Sequence, residues 1–196
     1  MKILSVLGMS LMSLAGPAVL AAEVSEGVSK VVSGGLVDPR GRRVAEDTLS
    51  GKYVALYFSA SWCGPCRAFT PRLDEAYQAW IRDRQPIEVV LVSLDRTEQA
   101  MRDYHRGMPW PALRFDQTGL SQLARQFGVS GIPSLVVLDP EGKVVAANAR
   151  AEVGQNGAKA VERWIPEGTP RVQTQETAPA AGSGGRPSPR WSRPPP

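Results

Sequence analysis

Two cysteines, the only ones in the chain, stand as Trp62-Cys63-Gly64-Pro65-Cys66 directly behind the apolar run Tyr53-Val54-Ala55-Leu56-Tyr57-Phe58. A C-x-x-C between a strand and a helix suits reversible thiol–disulfide exchange, because its spacing lets the two sulfurs close a small ring. The start of a helix offers unpaired N–H groups and partial positive charge, which favour a thiolate on the first cysteine. The thiolate, not the thiol, attacks disulfides. Cys63, at the exposed helix start, is therefore expected to be the nucleophile. Cys66, one turn further in, is expected to be the resolving thiol that breaks the mixed disulfide.

Other chemistries for the pair fit less well. A zinc site needs four ligands, and the chain offers one C-x-x-C and one histidine, His105. No metal or other cofactor is expected. A purely structural disulfide would close only a tiny loop, and the stabilisation it gives grows with loop length. His105 lies among Asp103 and Arg106 in a charged segment and is expected to be solvated. No carboxylate pair, phosphate-binding glycine loop or hydrolytic triad stands out.

The elements that must hold the cysteines follow from hydrophobic pattern. Tyr53–Phe58 and Ile87–Leu94 are nearly all apolar, as central parallel strands buried on both faces are. A helix is expected from about Pro65 to Asp83, since Pro65 suits a first turn. Phe69, Leu73, Ala76, Tyr77, Trp80 and Ile81 form its apolar stripe, and Pro71 should kink it. Asp95–Arg106 reads as a charged helix capped at Thr97. Met108-Pro109-Trp110-Pro111 cannot be regular structure. Leu120–Phe127 reads as a short helix ended by Gly128. Ser134–Leu138 and Lys143–Ala147 read as antiparallel strands around Asp139-Pro140-Glu141-Gly142, and Ala158–Ile165 as a last helix. Nearer the N-terminus, Val31-Val32, Leu36-Val37 and Arg43-Val44 surround Gly34-Gly35 and Asp38-Pro39-Arg40-Gly41, which predicts a hairpin. The order β-α-β-α-β-β-α specifies an α/β fold, a mixed central sheet flanked by helices with an N-terminal hairpin extension.

At 196 residues the chain accommodates one domain with extensions. Residues 1–22 read as a signal peptide: Lys2 is the charged start, Ile3–Leu14 the apolar stretch, and Val19-Leu20-Ala21 the small-residue cleavage region. That stretch is short against the roughly 20 residues of a spanning helix, so no stable membrane anchor is expected. Residues 23–165 form the domain, periplasmic or secreted after cleavage. Residues 166–196, rich in Pro, Gly, Ser and Arg, read as a disordered tail. The net charge of +4 comes from basic residues interspersed with acids, so nucleic acid is not an expected partner.

Tyr57-Phe58-Ser59-Ala60-Ser61-Trp62-Cys63-Gly64-Pro65-Cys66-Arg67-Ala68-Phe69-Thr70-Pro71 resembles the active-site segment of thioredoxin-like proteins, within them the tryparedoxin/nucleoredoxin branch, here as an exported bacterial member. Met108-Pro109-Trp110, Phe127-Gly128-Val129-Ser130-Gly131-Ile132-Pro133-Ser134-Leu135 and Ala149-Arg150-Ala151 resemble further segments of that branch, so the likeness covers about Gly51 to Ala151. It departs at Gly64-Pro65, where the branch usually has two prolines. It departs at Tyr57, where thioredoxins bury an aspartate, and at Leu94, where the branch often has tryptophan.

The resemblance implies a thioredoxin fold and a cis bond before Pro133, turning the Ile132 backbone outward to pair with a bound peptide. The substrate-facing set is then Trp62, Gly64, Pro65, Ile132, Pro133 and Trp110. Trp110 between its two prolines reads either as an apolar rim for a partner or as a rigid loop folded on the core. Arg150 reads as an active-site rim residue or a plain surface arginine. The expected function is an exported thiol–disulfide oxidoreductase that reduces protein disulfides. Its partners would be disulfide-containing proteins and an electron-donating thiol–disulfide protein. Gly-Pro between the cysteines points to a reductant, as in thioredoxin at about −270 mV against about −120 mV for a strong periplasmic oxidant. The alternatives are a non-catalytic binding module and a tryparedoxin-like electron donor to a peroxidase.

Overall fold

A computed structural model describes residue 28 and residues 31–172. The signal peptide and most of the tail expected from the sequence lie outside the described residues. The strands are β1 (Leu36–Val37), β2 (Arg43–Val44), β3 (Tyr53–Ser59), β4 (Ile87–Ser93), β5 (Ala112–Leu113), β6 (Ser134–Leu138) and β7 (Val144–Ala146). The helices are α1 (Gly64–Arg82), α2 (Glu98–His105), α3 (Gln117–Gln126) and α4 (Ala149–Asn156), with a 3-10 stretch at Gly157–Arg163.

All seven strands form one mixed sheet in the order β2-β1-β5-β4-β3-β6-β7. β3, β4 and β5 run parallel, and β6 returns antiparallel beside β3. Alternate side chains of β3 serve two cores. Tyr53, Ala55 and Tyr57 pack with α1, α4 and the 3-10 stretch through Phe69, Leu73, Tyr77, Val153 and Trp164. Val54, Leu56 and Phe58 pack on the other face with Leu120 and Ala124 of α3 and with Val28, Val32 and Leu49. This period-2 division of an apolar strand is why β3 shows no polar alternation.

The register brings the functional segments together. Tyr57 lies opposite Leu91 and Leu135, and Phe58 opposite Ser134. The residues following β3 and β4 and those preceding β6 therefore meet at one edge of the sheet. Ligand sites of open α/β sheets form at that carboxyl edge.

Several elements differ from the sequence reading. Val31-Val32 is not part of the hairpin: the Val32 N–H donates to the Val28 carbonyl at 3.0 Å, closing a helical turn. The hairpin itself is β1–β2, and β1 also pairs with β5. Strand β5 was unexpected because two residues carry no periodicity; its pairing with β1 and β4 makes it a strand. Helix α4 was also missed, since Arg150, Glu152 and Gln155 dilute its pattern. The last helix is the 3-10 stretch, and Trp164 and Ile165 follow it into the core. Pro71 removes one N–H from α1, which continues past it to Arg82. Val172, the last described residue, donates its N–H to the Arg84 carbonyl at 3.1 Å.

Candidate active site

Cys63 is the N-cap of α1 and stands outside the helix in extended conformation, with Gly64 and Pro65 as the exposed first turn. Pro65 needs no N–H there, and its fixed φ favours the turn. The structure holds Cys63 and Cys66 as a disulfide with their Cα atoms 5.2 Å apart. The Cys66 backbone N–H donates to the Cys63 Sγ at 3.2 Å, so the cap of the helix is the sulfur itself. Cys66 is wholly buried, whereas Cys63 keeps 6 % of its surface open. Ala60, Leu94 and Ile132 pack around the two sulfurs.

The loop before β6 closes the site from the other side. The Ile132–Pro133 peptide is cis, and the Ile132 carbonyl lies 3.7 Å from the Cys63 Sγ. Trp62 is 57 % exposed beside the disulfide, with its indole N–H donating to the Leu94 carbonyl at 3.3 Å. A cavity of about 450 Å³ lies next to the disulfide, lined by Pro65, Ile132, Pro133, Asn148 and Arg150. Arg150 is exposed, and its guanidinium carbon sits 5.9 Å from the Phe69 ring centroid. Arg150 is thus placed at the rim of the site.

The structure decides one reading left open by the sequence and overturns another. Trp110 is completely buried and forms no rim. Its ring makes edge contacts with Tyr57 and Tyr77, at centroid distances of 6.2 Å and 5.5 Å. The flanking prolines stiffen the loop, but the indole is too large an apolar surface to leave in water when a core position is available. His105 is not solvated: it is 2 % exposed, and its Nε2 lies 2.8 Å from the Trp110 carbonyl. A carbonyl only accepts, so Nε2 carries the proton. Burial pushes the imidazole pKa down, against the smaller opposing effects of that hydrogen bond and of Asp38.

The sequence also failed to show what supports the cysteines. Buried Asp95 accepts hydrogen bonds from the Ser61 N–H at 2.9 Å, the Ser61 hydroxyl at 2.7 Å and the Ser93 hydroxyl at 2.9 Å. It ties the end of β4 to the turn that carries Trp62 and Cys63. The available signal was an acid at the carboxyl end of an apolar strand. Beneath Cys66 lies a row of buried hydroxyls. Ser59 bonds Tyr104 at 2.9 Å, Tyr104 bonds Thr70 at 3.0 Å, and Thr70 donates to the Cys66 carbonyl at 2.9 Å. Tyr57 joins this row through Thr70 at 2.9 Å and through the Cys66 carbonyl at 3.2 Å. Since the carbonyl cannot donate, the hydroxyls of Thr70 and Tyr57 are the donors where they meet it. Burial pushes the Tyr57 pKa far up, so this hydroxyl stays protonated throughout the physiological range.

A family model described as thioredoxin-like matches residues 51–144. A solved structure of native tryparedoxin I from Crithidia fasciculata is 35 % identical, superposes with a TM-score of 0.66, and is covered over 99 % of its chain by 72 % of this one. The chain belongs to the thioredoxin-like family. Tryparedoxin from Trypanosoma brucei is 39 % identical with a TM-score of 0.64, over 71 % of this chain and 99 % of that one. Nucleoredoxin from Xenopus laevis is 42 % identical over 125 residues, which are 63 % of this chain and 30 % of that protein. The chain thus spans about a third of the length of the curated nucleoredoxins it matches. The thioredoxin fold, the tryparedoxin and nucleoredoxin kinship, and a redox Cys-x-x-Cys pair agree with the expectation from the sequence.

Proposed function

We propose that this protein is an exported thiol–disulfide oxidoreductase that reduces disulfides in proteins. In the dithiol form, the Cys63 thiolate attacks one sulfur of a substrate disulfide. The substrate's S–S bond breaks, and its departing sulfur takes a proton. Cys66 then loses its proton and attacks the Cys63 Sγ, releasing the second substrate thiol and leaving the Cys63–Cys66 disulfide. Two electrons have passed to the substrate. A dithiol protein returns them by the reverse exchange.

The observation that carries this reading is the Cys66 N–H aimed at the Cys63 Sγ from a helix N-terminus. A hydrogen bond and the positive end of the helix both favour sulfur as an anion, which makes Cys63 the better attacking and leaving group. Exposed Trp62, Gly64 and Pro65 and the Ile132–Pro133 loop surround the sulfur and supply the surface a substrate strand would meet. Buried Trp110 leaves that set.

Export rests on the N-terminal pattern. Among the described residues no helix is long and apolar enough to cross a membrane. Reduction of a protein disulfide driven by a small dithiol tests the function. Turnover that vanishes in Cys63→Ser is expected, and a wild-type protein that binds the substrate without reducing it would leave only the binding-module reading.

A further inference from the structure

Three parallel strands end on the edge that carries the disulfide, and exposed arginines follow two of them, Arg96 after β4 and Arg114 after β5. Arg96 follows Asp95 directly and is exposed. A cavity of about 350 Å³ lies between the β1–β2 hairpin, α2 and the end of β5. Its charged lining is Arg43, Arg102, Arg114 and Glu98. Glu98 is engaged by Arg102 at 2.9 Å, and a second Arg102 nitrogen donates to Gln99 at 3.1 Å. Arg43 and Arg114 make no ion pair among the described residues. Among the described residues, two guanidinium groups of the cavity thus have no carboxylate partner.

Arg114 is placed, not trailing. Its N–H donates to the Gly35 carbonyl at 2.9 Å, and its stem lies across Gly35. A Cβ at that glycine, whose φ is +86°, would come within 3.3 Å of the Arg114 Cδ. Arg114 follows β5, α2 follows β4, and the cysteines follow β3, all on the same sheet edge.

On the reading of the protein as a disulfide reductase, we propose that Arg96, Arg114 and Arg43 form a docking track for an acidic segment of its protein partner. The exchange site faces a cysteine of that partner while carboxylates flanking it settle on these guanidinium groups. Planar forks of this kind hold carboxylates in two-point contact. Charges at the rim of an interface act mainly on encounter and partner choice, so the track selects substrates without altering the chemical step.

The test uses two synthetic peptides with the same internal disulfide, joined to oligoglutamate or to oligoglutamine. A spacer of about ten residues spans up to roughly 35 Å. At low salt the full-length protein should reduce the glutamate peptide with a kcat/KM about tenfold higher, the gain lying in KM. The preference should disappear at about 1 M salt, where the Debye length is about 3 Å. It should also disappear in the double variant Arg43→Glu/Arg114→Glu, while reduction of the glutamine peptide is retained. Equal kcat/KM for the two peptides, or a preference surviving the double variant, overturns the track. Fluorescence anisotropy of a labelled, cysteine-free oligoglutamate peptide reads docking alone. Binding lost in the double variant upholds the track even where neither disulfide turns over, an outcome that would sink only the reductase reading. Absence of binding, or an equal loss in Arg171→Glu at the far end of the domain, overturns it.

Discussion

The Cys66 amide donates to the Cys63 sulfur at 3.2 Å, so the two cysteines are linked through the helix cap as well as through their disulfide. This bond and the helix dipole both act on Cys63 and not on Cys66. In the reduced protein, iodoacetamide should therefore label Cys63 first. Cys63→Ser should abolish disulfide reduction, because the covalent route is gone. Cys66→Ser should still attack and accumulate mixed disulfides, visible as mass adducts. Faster labelling of Cys66 would reverse the assignment.

Asp95 gathers three hydrogen bonds from Ser61 and Ser93 in a buried position. Asp95→Ala strands those donors and should cost about 2–3 kcal/mol of stability by urea unfolding. The turn carrying Trp62 is freed at the same time, so the fluorescence change of the exposed indole on reduction should shrink. Asp95→Asn keeps one acceptor oxygen and should lie between the two. An alanine variant as stable as the parent would show that the turn is held by other means.

Trp110 and His105 form one buried unit. Trp110→Ala should destabilise by about 3–5 kcal/mol, since it empties a site packed against Tyr57 and Tyr77. Burial lowers the folded-state pKa of His105 below its unfolded value. The contribution of the neutral ring is complete above the unfolded pKa of about 6.5 and is lost as pH falls through it toward the folded value. Thermal scans between about pH 8 and pH 5 should show a steeper loss in the parent than in His105→Gln. Parallel curves would remove His105 from the acid response.

Glu88 presents the opposite sign. Burial raises its pKa, and the Tyr77 hydroxyl at 2.7 Å, Lys52 at 3.9 Å and the Val89 N–H only partly offset this. A carboxyl whose folded pKa is raised stabilises the fold at low pH, and that stabilisation is lost as pH rises through the folded value. Glu88→Gln retains an acceptor for Tyr77 and carries no charge. It should match or exceed the parent's melting temperature at neutral pH and lose that advantage in acid. A lower melting temperature for the variant at neutral pH would mean that the Lys52 pair outweighs burial.

The strands β3 and β4, the helix α1 and the exchange pair were legible because each is encoded locally. Apolar runs, a 3.6-residue stripe from Phe69 to Ile81, and a proline beside two cysteines all act within a few residues of chain. The family likeness reached further, to the Ile132–Pro133 loop, whose place beside Cys63 no local pattern specifies. What the sequence by itself determined is thus the fold class, the exchange pair and the helix start that activates it. Tertiary structure decided the rest. The charged surroundings of His105 suit solvent and those of Trp110 suit rim or core, yet Trp110 packs on Tyr57 and Tyr77 and His105 turns in to meet its carbonyl. Strand β5 exists only because β1 and β4 flank it. Asp95 reaches Ser61 across 34 residues of chain, and Arg43 and Arg114 come to line one cavity only through the β1–β2 and β1–β5 pairings. Burial and long-range hydrogen bonds depend on which surfaces meet, and a linear pattern of residue types does not record that meeting.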